Sequence, residues 1–437
     1  MKVKKFLPHI ITAVLSMIML VCAFSSSRVI IKTFPFTLYE KMGMFYKDEF
    51  SNVVFNKVFS MNGTLESFIT FLKNFANKEG IMSTMLPAVM FSALIITAFV
   101  LIINAASKTN YIWSIYLSAA LLPIVFLDFS NVAYFKTLYN NPLILTLLLL
   151  LCAVFFTFYK RNTVGIPGLL IITVITLLYS CIGYVQAISS VVIGVVIVRL
   201  FKISKNKASK ILSIILGCVI IIQSVVFTFN FRPYDYKQTI YNSVFFGVCK
   251  YDSVTELGLD KSLDDFKEVY YGMKENEADY DLENNFYNKI SYKKLIGYYL
   301  THPINTAKLI NNQASLAFYN DYDFGFTPYN SAKKLCIPMN LIIALVFAAV
   351  YIIIALTVGN KYNHLKPFAE FLSALAVMWI LTLISTTLYC GNCDTISNMY
   401  TFNVIFDILL TTGFICGVRT IIHRQEEKKE EFGITHE

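Results

Sequence analysis

The sequence has 437 residues, of which 56% are hydrophobic and 15% are charged, and its formal net charge is +9. Soluble domains carry about a quarter of charged residues, so this composition excludes an ordinary soluble protein. A net positive charge is also typical of nucleic-acid-binding proteins, but here the charge falls in loops between apolar segments. We therefore predict a membrane protein with no nucleic-acid partner.

Runs of about twenty apolar residues are long enough to cross the hydrocarbon core of a bilayer. We predict such helices near residues 6–26, 86–106, 112–128, 142–159, 167–183, 185–200, 211–229, 336–358, 367–389 and 398–418. This pattern predicts an all-α polytopic membrane protein with about ten transmembrane helices, for which the lipid bilayer is the first partner.

The distribution of Lys and Arg predicts the orientation, because short cytoplasmic loops carry an excess of both. The short loops at 128–141, 184 and 390–397 hold a single such residue, Lys136. Loops on the other side of the membrane hold many more: Lys2, Lys4, Lys5, Lys108, Lys160, Arg161, Arg199, Lys202, Lys205, Lys207, Lys210, Lys361, Lys366, Arg419, Arg424, Lys428 and Lys429. We therefore predict a multi-pass plasma-membrane protein with both termini in the cytoplasm.

Two longer segments are predicted on the outer face. Residues 27–85 contain an amphipathic stretch that fits a helix lying along the membrane surface. Residues 230–335 are polar and form a predicted extracytoplasmic domain between helices 7 and 8. Neither segment shows the alternation of a β-sheet domain. The first seven membrane helices then occupy 1–229, the last three occupy 336–418, and 419–437 is a charged cytoplasmic tail.

One ionisable residue is predicted deep in the membrane, where a charge is expensive to bury. Asp407 lies near the middle of the last apolar segment, one helical turn after Asn403. Two interpretations stay open. The pair is either an ion-coupling or proton-relay site of a transporter, or an interhelical hydrogen bond with the carboxyl protonated.

Acidic and basic residues gather at the predicted outer ends of the helices. A carboxylate there can accept a proton from a sugar hydroxyl, and cations there suit a lipid-linked phosphate. For any single cation, ordinary surface charge is the alternative. The candidate catalytic acids are Asp128, Asp394, Glu40, Asp48 and Glu49. The candidate donor-phosphate-binding residues are Arg28, Lys32, Arg232, Lys333 and Lys334. No metal site is predicted, and the cofactor requirement is left unassigned.

Several segments resemble a bacterial family of glycan-biosynthesis hexose transferases. The first is Ile-Tyr-Asn-Ser-Val-Phe-Phe-Gly-Val at 240–248, and it is followed by Glu-Leu-Gly-Leu at 256–259 and Tyr-Tyr-Leu-x-His-Pro at 298–303. Segments 128–139 and 394–407 are similar to that family's pattern as well. These proteins are related to the GT-C glycosyltransferases. The resemblance implies a GT-C-like fold and transfer of a hexose from a polyprenyl-phosphate sugar to a glycan acceptor at the outer face.

Three positions depart from that family's pattern. Asn140-Asn141 stands where the family has a nearby Glu, Ser397-Asn398 replaces a basic or His pair, and Ser25 to Arg28 occupies the place of an acidic motif. The resemblance implies a base in the first outer loop, which is then Glu40, Asp48 or Glu49, and our hypothesis for a transferase adds Asp128 as the alternative base. Two alternatives to a transferase stay open, namely a glycan-precursor transporter or flippase and a catalytically inactive member of the fold.

Overall fold

The computed structural model describes residues 3–26, 44–47, 51–55, 63–106, 112–161, 164–230, 236–271, 281–318, 328–361, 366–393 and 398–431. Its α-helices are α1 (Val3–Ser26), α2 (Thr64–Lys73), α3 (Met85–Ala106), α4 (Ile112–Phe126), α5 (Phe129–Val132), α6 (Asn140–Arg161), α7 (Ile166–Ser180), α8 (Tyr184–Arg199), α9 (Lys207–Asn230), α10 (Tyr236–Asn242), α11 (Tyr292–Thr301), α12 (Pro303–Leu316), α13 (Pro328–Cys336), α14 (Leu341–Lys361), α15 (Lys366–Cys390) and α16 (Tyr400–Glu431). The strands are β1 (Met44–Lys47), β2 (Asn52–Phe55) and β3 (Ile81–Ser83).

The prediction of an all-α polytopic membrane protein is confirmed. Every predicted apolar segment contains a helix. Among the described residues 8 helices are long and apolar enough to cross a membrane: α1, α3, α6, α8, α9, α14, α15 and α16. Counting α4 together with the turns that follow it gives 9 such spans. The remaining predicted span, α7, has only 15 residues, whereas a straight helix needs about 20 to cross the core.

The third predicted span is a bent helix pair. Residues Trp113–Phe126 and Phe129–Lys136 meet at an angle of 52°. Pro123 lies inside α4 and lacks an N–H, while its carbonyl accepts from the Leu127 N–H at 2.9 Å. The chain therefore turns at Leu127 and Asp128, and Asp128 becomes the residue that precedes α5.

Small residues let two membrane helices approach closely. A Cβ added to Gly217 of α9 would lie 2.7 Å from the Gly194 carbonyl oxygen of α8. Helices in a bilayer gain little from hydrophobic burial, so close packing of this kind is a main source of their association. The centre of the bundle is filled by larger side chains, for example the stack of Phe155 on Phe371 with ring centroids 4.4 Å apart.

The segment between α1 and α3, which the sequence analysis predicted on the outer face, contains a small antiparallel sheet that the sequence analysis missed. β2 is the central strand, with Val54 opposite both Phe45 of β1 and Ile81 of β3. Strands of 3 or 4 residues are too short to show alternation, which is why the sequence analysis did not predict this small sheet. Helix α2 lies between β2 and β3, and the Thr64 N–H donates to the Cys181 carbonyl at the end of α7.

The region after α9 contributes to two hydrophobic cores. One core is separate from the membrane bundle and is built from short helices: its buried residues include Ile240, Tyr241, Phe245, Leu263, Phe266, Phe286, Leu295 and Leu309. From Ile310 onwards the chain instead joins the core of the bundle. The boundaries of a domain at 230–335 stay a prediction, since its last helices pack with the membrane helices.

A glycine contact joins the separate core to the end of α15. Gly391 has φ +55°, and a Cβ there would lie 2.5 Å from the Gly247 backbone nitrogen. The adjacent Asn392 N–H donates to the Phe246 carbonyl at 3.0 Å, and the Ser243 hydroxyl donates to the Leu388 carbonyl at 2.6 Å. The left-handed conformation and the close approach both require glycine.

Candidate functional site

Asp128 is a buried carboxylate at the bend after α4. Its side chain has an exposed fraction of 0%. The carboxylate oxygen Oδ2 accepts from the Ser130 hydroxyl at 3.2 Å and from the Asn330 N–H at 3.3 Å. The other oxygen, Oδ1, has no hydrogen-bond partner among the described residues. Buried polar atoms normally have a protein or water partner, so this oxygen keeps an unused capacity to accept a hydrogen bond.

Helix α13 brings the second part of the site into the bundle. It begins at Pro328, a residue suited to the first position of a helix. The N–H groups of a first helical turn lack partners inside the helix, and that of Asn330 is donated to Asp128. Tyr329 and Lys333 are four residues apart, so they lie on one face of α13. That face meets α16 at Asp407.

Asp407 and Lys333 form a buried ion pair. The Lys333 Nζ lies 3.0 Å from Asp407 Oδ1 and 3.3 Å from Oδ2, and the two side chains are only 3% and 5% exposed. The Tyr329 hydroxyl donates to Asp407 Oδ1 at 2.7 Å. The Lys333 ammonium also lies over the ring of Phe318, 4.9 Å from its centroid. Asp407 is therefore held by an interhelical contact, while the ion-coupling interpretation stays a prediction.

Aromatic and amide groups surround these carboxylates. Tyr400, at the start of α16, packs edge-on against Tyr134 with centroids 5.6 Å apart. The Asn403 amide donates to the Ala317 carbonyl at 2.8 Å. Within the described ranges, the Tyr400 hydroxyl and the Asn403 Oδ1 are buried atoms with no hydrogen-bond partner. The site therefore offers polar atoms beyond those that fix its own fold.

The structure joins three of the predicted site residues through one helix. Asp128 contacts α13 at Asn330, and Lys333 on the same helix pairs with Asp407. Lys334 follows on α13 and is exposed. Asn403, also predicted, lies one turn before Asp407 in α16. Seven further predicted site residues lie outside the described residues: Glu40, Asp48, Glu49, Asp394, Arg28, Lys32 and Arg232.

The sequence analysis missed three residues that contact these carboxylates. Ser130 and Asn330 are donors to Asp128, and Tyr329 is a donor to Asp407. The four-residue spacing of Tyr329 and Lys333 was a visible signal for a helix with one polar face. The Asn330 contact could not be recognised in the sequence, because a backbone N–H donates the hydrogen bond and nearly any residue at this position would supply one.

A comparison with protein-family models identifies the group to which the chain is related. The model described as the YfdI N-terminal transmembrane domain matches residues 36–434. The chain belongs to this family. The YfdI family is GT-C-like and glycosyltransferase-related, which confirms the coarser part of the resemblance, while the hexose-transferase family stays a prediction. The matched range contains Asp128, α13 and Asp407, and it begins after α1. No curated protein and no solved structure matches the chain.

Proposed function

We propose that the chain is a membrane glycosyltransferase that moves a hexose from a polyprenyl-phosphate carrier onto a surface glycan at the outer face of the membrane. The glycosyltransferase-like character of the YfdI family supports the reaction class. The observation that carries the proposal is the Asp128 carboxylate, which is fully buried, is held through one oxygen and has no hydrogen-bond partner at the other among the described residues.

Asp128 acts in this proposal as the general base. Its Oδ1 takes the proton of an acceptor hydroxyl while the hydroxyl oxygen forms a bond to the anomeric carbon of the hexose. The bond between that carbon and the carrier phosphate breaks, and its electron pair leaves with the polyprenyl phosphate. A base works best when its orientation is fixed, and the Ser130 hydroxyl and the Asn330 N–H supply that orientation.

The two lysines of α13, Lys333 and Lys334, have different roles in this proposal. The Lys333 ammonium is committed to Asp407, which supports a positioning role for Lys333 in keeping Asn330 beside Asp128. Lys334 is exposed on the same helix, and a cation there suits the phosphate of the donor. Arg28, Lys32 and Arg232 are proposed to share this role, and Asp394, Glu40, Asp48 and Glu49 remain candidates for further acids.

The test is sugar transfer from a labelled polyprenyl-phosphate hexose in membranes that contain the folded protein. Asp128→Asn keeps the size and one hydrogen-bond acceptor but cannot take a proton, and we expect it to lower transfer by about 100-fold or more. Asp281→Asn is the matched control. Asp281 is exposed with φ 41°, a conformation that Asn also tolerates, so its variant retains transfer.

A transporter or flippase for a glycan precursor is the second candidate, and the position of Asp407 within the span Tyr400–Gly417 favours it. Ionisable groups inside a membrane are frequently coupling sites. The same membranes decide between the two. If Asp407→Asn abolishes glycan assembly while Asp128→Asn leaves it intact, the transferase proposal is wrong. If both variants are silent, an inactive member of the fold is the remaining explanation.

A further inference from the structure

A groove opens at the end of the bundle where α8 ends and α15 begins, and it has a volume of about 380 Å³. The described residues that line it come from α8 and the turn after it, from α14 and from α15, and they include Val195, Arg199, Lys202, Lys366, Glu370 and Ala374.

This groove is separate from the site that contains Asp407. Trp379 of α15 packs against Phe406, the neighbour of Asp407, with ring centroids 5.4 Å apart. Glu370 is nine residues before Trp379, roughly 13 Å nearer the start of α15 at the rise of an α-helix. The groove and the proposed catalytic site therefore lie at different depths of the bundle.

The charged residues of the groove give it a positive rim. Arg199 holds Glu370 in a two-pronged contact, with Nε 3.0 Å from Oε2 and Nη2 2.8 Å from Oε1. Lys202 reaches the same carboxylate at 3.5 Å, and Lys366 lines the groove as well. The described lining residues thus include three cations and one carboxylate. The rim carries a surplus of positive charge that a single anionic group complements.

The rest of the groove is hydrocarbon. Val195, Leu356 and Val377 line it, and these side chains are 47%, 42% and 42% exposed on the outside of the bundle. On a membrane helix such side chains face acyl chains. The groove therefore combines an apolar slot that opens toward the lipid with cations at the level where a headgroup lies.

We propose that this groove binds one anionic glycerophospholipid of the leaflet at this end, which the positive-inside rule predicts to be the cytoplasmic one. Its phosphate lies between Lys202 and Lys366, while Glu370 keeps the Arg199 guanidinium aligned along the rim. An acyl chain runs along Val195 and the half-buried Ala374. A lipid anchored here stabilises the contact between α8 and α15. Because the groove contains none of the proposed catalytic residues, this proposal does not depend on the glycosyltransferase function.

Native mass spectrometry of the full chain, released from detergent and titrated with lipid, tests the proposal. Phosphatidylglycerol is expected to bind more tightly than phosphatidylcholine with the same acyl chains. The double variant Lys202→Gln/Lys366→Gln is expected to lower the affinity for phosphatidylglycerol by about fivefold for each lysine removed. The matched control is Lys207→Gln/Lys210→Gln, which removes the same charge from exposed residues outside the groove and leaves binding unchanged.

A second variant tests the apolar part of the groove. Ala374→Leu fills the slot and keeps every charge. It is expected to lower the affinity for phosphatidylglycerol, while the helicity of the protein measured by circular dichroism stays unchanged. Equal affinity for the two lipids would overturn the proposal. So would a control double variant that loses as much binding as the groove variant, or displacement of the lipid by inorganic phosphate at equal concentration, which would identify a free phosphate as the ligand.

Discussion

The ion pair between Lys333 and Asp407 leads to a quantitative prediction about stability. The two side chains are almost fully buried and their charges approach to 3.0 Å. At that distance and an effective dielectric constant of about 20, the attraction is about 5 kcal/mol, most of which offsets the cost of desolvation. Removing one partner leaves the other charge buried and unpaired. We therefore expect Lys333→Met to lower the free energy of unfolding by about 3–5 kcal/mol.

A double-mutant cycle separates the pair from its surroundings. Asp407→Asn leaves Lys333 without its counter-charge but keeps an oxygen that accepts from Tyr329, and we expect a loss similar to that of Lys333→Met. The double variant is expected to lose at least about 2 kcal/mol less than the sum of the single variants.

The assay is unfolding in mixed micelles with increasing dodecyl sulfate, followed by circular dichroism. Lys334→Met, an exposed change on the same helix, is the control and is expected to stay within about 0.5 kcal/mol of the parent. If the loss of unfolding free energy in the double variant equals the sum of the losses in the two single variants, the buried ion pair is refuted.

Three further outcomes are expected. Tyr329→Phe removes a 2.7 Å hydrogen bond to the Asp407 carboxylate and lowers the unfolding free energy by about 1.5–3 kcal/mol in the same assay. Gly391→Ala places a Cβ within 2.5 Å of a backbone nitrogen at φ +55°, so the purified variant melts at a lower temperature than the parent by circular dichroism. The Lys250 ammonium, 2.8 Å from Glu268, holds the pKa of that carboxyl below its usual range, so the pair stabilises the fold at neutral pH and the stabilisation is lost as the pH falls through that lowered pKa. Lys250→Gln raises the pKa of Glu268 toward its ordinary value in a carbon-13 NMR titration.

The membrane architecture was predictable because a single physical quantity determines it. A segment that is apolar for about twenty residues has few stable alternatives to a helix across the bilayer. The same rule placed the end of α7 at residue 183, whereas the helix stops at Ser180 with 15 residues. The rule did not predict the sheet between Met44 and Ser83. The strands of this sheet are shorter than the sequence window in which an alternation of polar and apolar residues can be recognised.

The candidate site was predictable by residue type and not by partner. Burial of charge marked Asp407, and position at a helix end marked Asp128 and Lys333. Their arrangement depends on α13 entering the bundle, which places Lys333 against a residue of α16 far along the chain. Local sequence contains no information about that contact. Lys333 was therefore predicted to bind a phosphate, whereas its nearest anion in the described structure is a carboxylate of the protein.

The most direct test of the central claim is the initial rate of hexose transfer from a labelled polyprenyl-phosphate donor, measured for the parent, Asp128→Asn and Asp281→Asn in the same membranes at equal protein levels. If Asp128 is the base, its variant loses about 100-fold or more of the rate and the Asp281 variant keeps it. Transfer by Asp128→Asn at the rate of the parent would contradict the account.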